Sequence, residues 1–280
     1  KNYYILTNDA DVHALRSIKK HDRFIDVGVA EQNLINIASG LCNNKGKSLV
    51  YGFCTFLTFR CYEQIKFNLA SHNMNCKIVG IGPGYSFPYD GPTHHGIQDL
   101  YLMYLIPEME VINISDNNLS DTISKNFHKI KGPTYIRLEK GSMNYNNKIK
   151  YNFSDGFNFV HKSYKKNFLV ISSGFLCNLA VEEAKSKKDV DVLNLFKFKN
   201  INEKKFIKIL KDYKKIIIYD ECTLLGGITP IILGYLTKNK LKLNIITLTS
   251  PDKQVFKYSL DRYSLLEELK ISPKYLRKLI

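Results

Sequence analysis

The 280-residue chain has no apolar run approaching the ~20 residues that a bilayer span requires. Its first residues show no basic stretch followed by an apolar one. Together these absences predict a soluble, cytoplasmic protein that does not partner a membrane. Six cysteines, Cys42, Cys54, Cys61, Cys76, Cys177 and Cys222, share no short paired spacing. That argues against a zinc ribbon and a redox dithiol, and predicts reduced, mostly packed thiols. No internal repeat or low-complexity tract is present. Charge is abundant, with a formal net charge of +15. Its lysines are dispersed, in pairs such as Lys19-Lys20, Lys165-Lys166 and Lys214-Lys215. They read as solvated helix and loop faces rather than a nucleic-acid patch, with part of the surface left for a partner subunit. A composition of 44% hydrophobic and 24% charged residues is globular, and the length fits one large or two ordinary domains.

Short apolar runs alternate with helical patterns throughout, as in a parallel sheet wound with helices. Strands are predicted at 3–6, 24–27, 48–52, 77–81, 111–115 and 134–138. Helices are predicted near 30–42, 57–71, 97–106 and 119–130. An Asn- and Lys-rich stretch then interrupts the alternation and reads as a linker. Strands resume at 168–172, 190–195, 215–219 and 243–248, between helices near 177–186, 202–213 and 227–238. The expected fold class is therefore α/β with two doubly wound domains, residues 1–145 with a mainly parallel sheet and a smaller unit at 166–280, joined by a linker at 146–165.

The run Asp22 to Asn33 passes from an apolar strand through Gly28 into an amphipathic helix, with Ala30, Leu34, Ile37, Ala38 and Leu41 on one predicted stripe. It puts the Glu31 carboxylate on the first helical turn, at the sheet edge where α/β proteins build ligand sites. Taken alone, an acid there is ordinarily a charge complementing the exposed N–H groups. Two further segments accompany it. Phe56, Phe59 and Tyr62 recur every third residue, which on a helix makes one aromatic ridge, suited to core packing or to a flat ligand. Residues 81–96 are a Gly- and Pro-rich loop carrying Asp90, His94 and His95.

In this order and spacing, residues 22–33, 53–66 and 90–97 resemble the C-terminal half of transketolases and of the related deoxyxylulose-phosphate synthases. The likeness runs nearly end to end, more loosely over 166–280, where Gly226-Gly227 follows Asp220-Glu221. The resemblance implies thiamine diphosphate as cofactor. Glu31 is then the carboxyl group that protonates the pyrimidine ring so that the cofactor can be activated. Phe56 packs on that ring, Phe59 and Tyr62 line the same pocket, and Asp9 matches an acidic position near the thiazolium. His94 meets the substrate carbonyl and Asp90 a sugar hydroxyl. Lys140 falls where the family carries a phosphate-binding Arg, with Arg137 able to share that work. Gly82 replaces a phosphate-contacting His.

The family's Gly-Asp-Gly segment, which with a later Asn carries Mg2+ for the diphosphate, is absent from the chain. The length is about half that expected of a one-chain transketolase. The resemblance thus implies the C-terminal subunit of a split enzyme that transfers a two-carbon ketol unit between sugars. An N-terminal subunit would carry the diphosphate and metal site, and this chain would self-associate through both its domains. A decarboxylating condensation like that of the synthases, and a non-catalytic regulatory or binding subunit, are the alternatives.

Overall fold

The apolar runs are strands of two sheets. The computed structural model describes residues 3–9, 13–141 and 149–280. The first sheet contains β1 (Tyr4–Thr7), β2 (Phe24–Asp26), β3 (Ser48–Phe53), β4 (Cys76–Ile81), β5 (Glu110–Asn113) and β6 (Thr134–Leu138). They lie in the order β2-β1-β3-β4-β6-β5, every pair parallel. β3 and β4 are buried on both faces, which is why they read as continuous apolar runs.

The second sheet holds β7 (Phe157–His161), β8 (Phe168–Ser172), β9 (Val190–Leu195), β10 (Lys215–Thr223) and β11 (Ile245–Ser250), ordered β11-β10-β8-β9-β7. β7 runs antiparallel to β9, and the other pairs are parallel. β7 lies within the stretch expected to be a linker, of which residues 146–148 are outside the described residues. As an edge strand it has one unpaired flank and tolerates Asn158 and His161, so it lacks a continuous apolar signature.

The helix expected at 57–71 is broken. Phe56–Arg60 and Ile65–Ala70 take the wider π winding, separated by Cys61 (φ −107°) and a short α turn, Tyr62–Gln64. A helix at Arg262–Glu268, which the periodicity did not single out, precedes the closing helix Pro273–Arg277.

The two units do not have separate cores. One apolar cluster joins Leu6, Val50 and Ile78 of the first sheet to Leu169, Leu193 and Ile216 of the second. Backbone bonds cross the seam, from Asn113 N–H to Phe196 O (2.9 Å) and from Phe198 N–H to Val111 O (3.2 Å). All six cysteines are buried free thiols. Among the described residues no helix is long and apolar enough to cross a membrane.

Candidate active site

The ends of β1 and β2 are tied by one carboxylate. Asp26 Oδ1 accepts the N–H of Gly28 (3.0 Å) and of Asp9 (2.8 Å). Gly28 has φ +70°, so the chain turns sharply there before entering the helix Glu31–Cys42. The buried stripe of that helix is Glu31, Leu34, Ile35, Ala38 and Cys42, one notch round from the stripe predicted from Ala30. This shift decides the fate of Glu31: it sits on the core-facing stripe, 1% exposed, instead of capping the helix in water.

Two donors compensate that burial. Asn8 Nδ2 donates to Glu31 Oε1 at 2.8 Å, and Arg60 Nη1 donates to Oε2. Arg60 is itself 48% exposed. Gly52 makes room, since a Cβ there would lie 2.6 Å from Asn8 Oδ1. Asn8 Oδ1 remains buried with no partner, an acceptor beside the acid that a ligand's donor can satisfy.

From Arg60 the site continues through aromatic rings. The guanidinium stands 5.0 Å from the centroid of Phe56. Phe56 meets His94 edge-on at 5.0 Å, and Phe53 completes a triangle at 5.7 Å from Phe56 and 5.5 Å from His94. Phe87 packs on Phe53 (5.2 Å) and fills the space beside Gly82, where a Cβ would lie 2.1 Å from its ring. His94 Nδ1 is 3.0 Å from Thr93 Oγ1. The next residue, His95, turns inward against Tyr85, and burial pushes its pKa down to about 4, so it is a neutral imidazole.

The structure thus joins Glu31, Phe56 and His94 in one chain of contacts and distributes the other expected residues around them. Phe59 is 43% exposed and Tyr62 packs partly against the core; among the described residues neither ring meets Phe56. The π winding rotates residues three apart further from one another than an α-helix does, which breaks the expected ridge. Asp9 (φ +60°) is exposed just past β1, and Asp90 is exposed on the 3-10 helical segment Pro88–Thr93. Lys140 is exposed, its Nζ 4.7 Å above the Phe87 ring.

Arg137, expected to share the substrate's phosphate, is engaged within the protein. It is 3% exposed and committed to protein partners: Nε donates to Asp99 Oδ2 (2.9 Å), and Nη2 to Asp99 Oδ1 (3.1 Å) and Gly96 O (2.7 Å). Its place inside β6, where side chains face a covered surface, explains why. Asn8, Arg60, Phe53 and Phe87 belong to the site without having been singled out. Their signals were slight: a polar residue at a strand end and a base set among aromatics. Among the described residues no group of three or more His, Cys, Asp or Glu is placed to hold a metal ion.

A buried acid at the carboxyl edge of a doubly wound sheet, linked through Arg60 to an aromatic ring and an imidazole, defines an α/β protein with its candidate ligand site where such sheets build them. Two family profiles sharpen that class: the transketolase pyrimidine-binding domain matches residues 8–146 and the transketolase C-terminal domain residues 159–275. The chain belongs to the transketolase family.

It is 27% identical over 214 residues to one subunit of the apulose-4-phosphate transketolase of Actinobacillus succinogenes, covering 75% of this chain and 69% of that one. It is 30% identical over 168 residues to 1-deoxy-D-xylulose-5-phosphate synthase of Clavibacter sepedonicus, which is 59% of this chain but only 26% of the synthase. The fold superimposes on a split-gene transketolase, solved as an inactive β4 tetramer, with a TM-score of 0.82 at 21% identity, over 99% of this chain and 90% of that one.

Proposed function

We propose that this chain is the C-terminal, pyrimidine-binding subunit of a two-chain cytoplasmic transketolase that uses thiamine diphosphate and Mg2+ to move a two-carbon ketol unit between sugars. The observation that carries the reading is Glu31, a carboxyl group 1% exposed with an unpartnered buried acceptor, Asn8 Oδ1, beside it. That pair fits the ring nitrogen and amino group of an aminopyrimidine, and Phe56 offers the flat apolar face such a ring needs. When bound, thiamine diphosphate supplies a carbon nucleophile whose formation depends on a proton held at the far side of the pyrimidine.

Glu31 would hold that proton, and Asn8 would keep the carboxyl oriented through Oε1. Arg60 is half-exposed and able to move away from Oε2 when a ring nitrogen takes its place. His94 would donate a hydrogen bond to a substrate oxygen as charge develops on it. Asp90 would meet a sugar hydroxyl, Asp9 would lie near the thiazolium, and Lys140 would provide a point charge for a substrate's anionic end.

The diphosphate and metal would rest on an N-terminal partner, because a hard cation needs several oxygen ligands and the Gly-Asp-Gly segment is missing here. Val29, 75% exposed, and Phe59 lie beside Glu31 and Arg60 in the sequence and support a docked partner over the site. Two copies of each chain would make the working assembly.

The test is reconstitution. Mixed with a companion chain bearing Gly-Asp-Gly, the protein should acquire ketol transfer that requires thiamine diphosphate and Mg2+, with neither chain active alone. Full activity of this chain by itself, or none from the pair across phosphorylated and unphosphorylated donors, overturns the reading. The match to the synthase supports a second reaction, and release of carbon dioxide from pyruvate by the pair would select it.

A further inference from the structure

The loop carrying His94 is held from both sheets. Within residues 82–97 the backbone pair between Gly84 and Gly96 (2.7 and 2.9 Å) is joined by turn bonds, among them Ser86 N–H to Pro83 O (3.2 Å) and His94 N–H to Gly91 O (3.0 Å). The first unit holds the loop through Gly82 N–H to Leu138 O (3.1 Å) and Arg137 Nη2 to Gly96 O (2.7 Å), and further anchors come from the second unit. Glu221, in β10, accepts the Tyr85 N–H at 3.1 Å. Arg262 then spans the two units: Nε and Nη2 donate to Glu221 (2.8 and 2.5 Å), and Nη1 and Nη2 to Glu139 (2.7 and 3.0 Å). Nη1 also reaches Ser86 Oγ at 3.1 Å, and Ser86 donates to Glu139 at 2.6 Å. The Phe175 ring lies 3.8 Å from the guanidinium. On the far side of His94, Thr223 N–H donates to Ile97 O (3.2 Å), and Tyr258 sits so near Gly91 that a Cβ would come within 2.3 Å of its ring.

One guanidinium facing two carboxylates, with 12%, 6% and 9% of the three side chains exposed, is an expensive arrangement in a protein interior. Its return is geometric, because a planar fork bonded on both sides fixes two elements in register. Glu221 also passes against the loop backbone so closely that only glycine fits at 84, where a Cβ would lie 2.1 Å from Oε2. These anchors bracket Asp90 and His94, and Glu139 adjoins Lys140, so the second unit shares in placing these groups relative to Phe56.

We propose that the C-terminal unit is a positioning element for the His94 loop, acting through Arg262, which pins Glu221 to Glu139 and Ser86. Arg262 is a positioning residue that reaches the chemistry only through the loop. The proposal rests on His94 being the group that meets substrate, yet its structural half is measurable in the full chain alone.

Hydrogen exchange on the isolated chain should show amides 83–97 exchanging about tenfold or more faster in Arg262→Met than in the wild type, with β3, β4 and β8 unchanged. In the assembled enzyme the same variant should lose kcat by ~10-fold or more while cofactor affinity stays within about twofold, because Glu31 and Phe56 sit on other elements. Arg262→Lys, which keeps the charge but not the fork, should recover only part of the loss. Unchanged exchange in the loop, or protection lost across all strands alike, overturns the proposal. So does loop exchange that rises with kcat intact. If the complex shows no transketolase activity but the loop alone loosens, the functional reading fails and the structural coupling stands.

Discussion

At the scale of single residues, two neighbours in the sequence show how burial divides labour. His94 stays half-exposed among Phe53, Phe56 and Phe87, while His95 is 3% exposed and its Nε2 has no partner. Desolvation lowers the His95 pKa from 6.5 to about 4. The folded state therefore binds its proton later than the unfolded state as pH falls. The stability it contributes is complete above about pH 6.5 and is lost progressively on acidification towards about pH 4. Between about pH 7 and pH 5 this amounts to roughly 2 kcal/mol. Denaturant titrations of the wild type and His95→Phe should differ in pH dependence by that amount; parallel pH profiles would contradict it. The same scale marks the limit of sequence reading. Glu31 was legible as an acid at a sheet edge, but the one-notch rotation of its helix, which converts a surface cap into a buried carboxyl, depends on packing. The partner of Arg137 was illegible for a related reason: a lone base in a strand does not reveal that Asp99, far along the chain, will bond it.

At the scale of elements, most of the parallel strands were readable, because double-sided burial demands continuous apolar runs. β7 was not, since an edge strand needs no such run. The segment 57–71 was expected as one α-helix, and its π turns moved Phe59 outward while Phe56 and Arg60 went to the site. π segments often occur at functional positions, and no periodicity in the sequence announces them. The site loop was recognised by its glycines, but the reasons for individual ones came from folding. Gly84 has φ +60° and no space beyond its α-carbon because of Glu221. Gly84→Ala is therefore expected to cost about 1–3 kcal/mol of stability, through strain and displaced Glu221. Thermal or chemical denaturation checks this, and a variant as stable as the wild type would show that the loop relaxes freely.

For the whole molecule, two doubly wound units share apolar cores and a charged seam, so the C-terminal unit is more than an appendage. The acid, the aromatic face and the imidazole lie on separate elements of the first unit, and the exposed Val29 and Phe59 are close to Glu31 and Arg60 in the sequence. On the proposed reading such a half-site would gain its chemistry on assembly, when a partner excludes water and fixes the cofactor's charged end. Everything then turns on whether Glu31 controls proton loss from the thiazolium ring. The direct measurement is the rate of deuterium exchange at that ring carbon, followed by NMR on thiamine diphosphate bound to the assembled complex. Glu31→Gln should slow it by ~10² to 10⁴ relative to the wild type with the cofactor still bound. Exchange at the wild-type rate in Glu31→Gln would contradict the assignment.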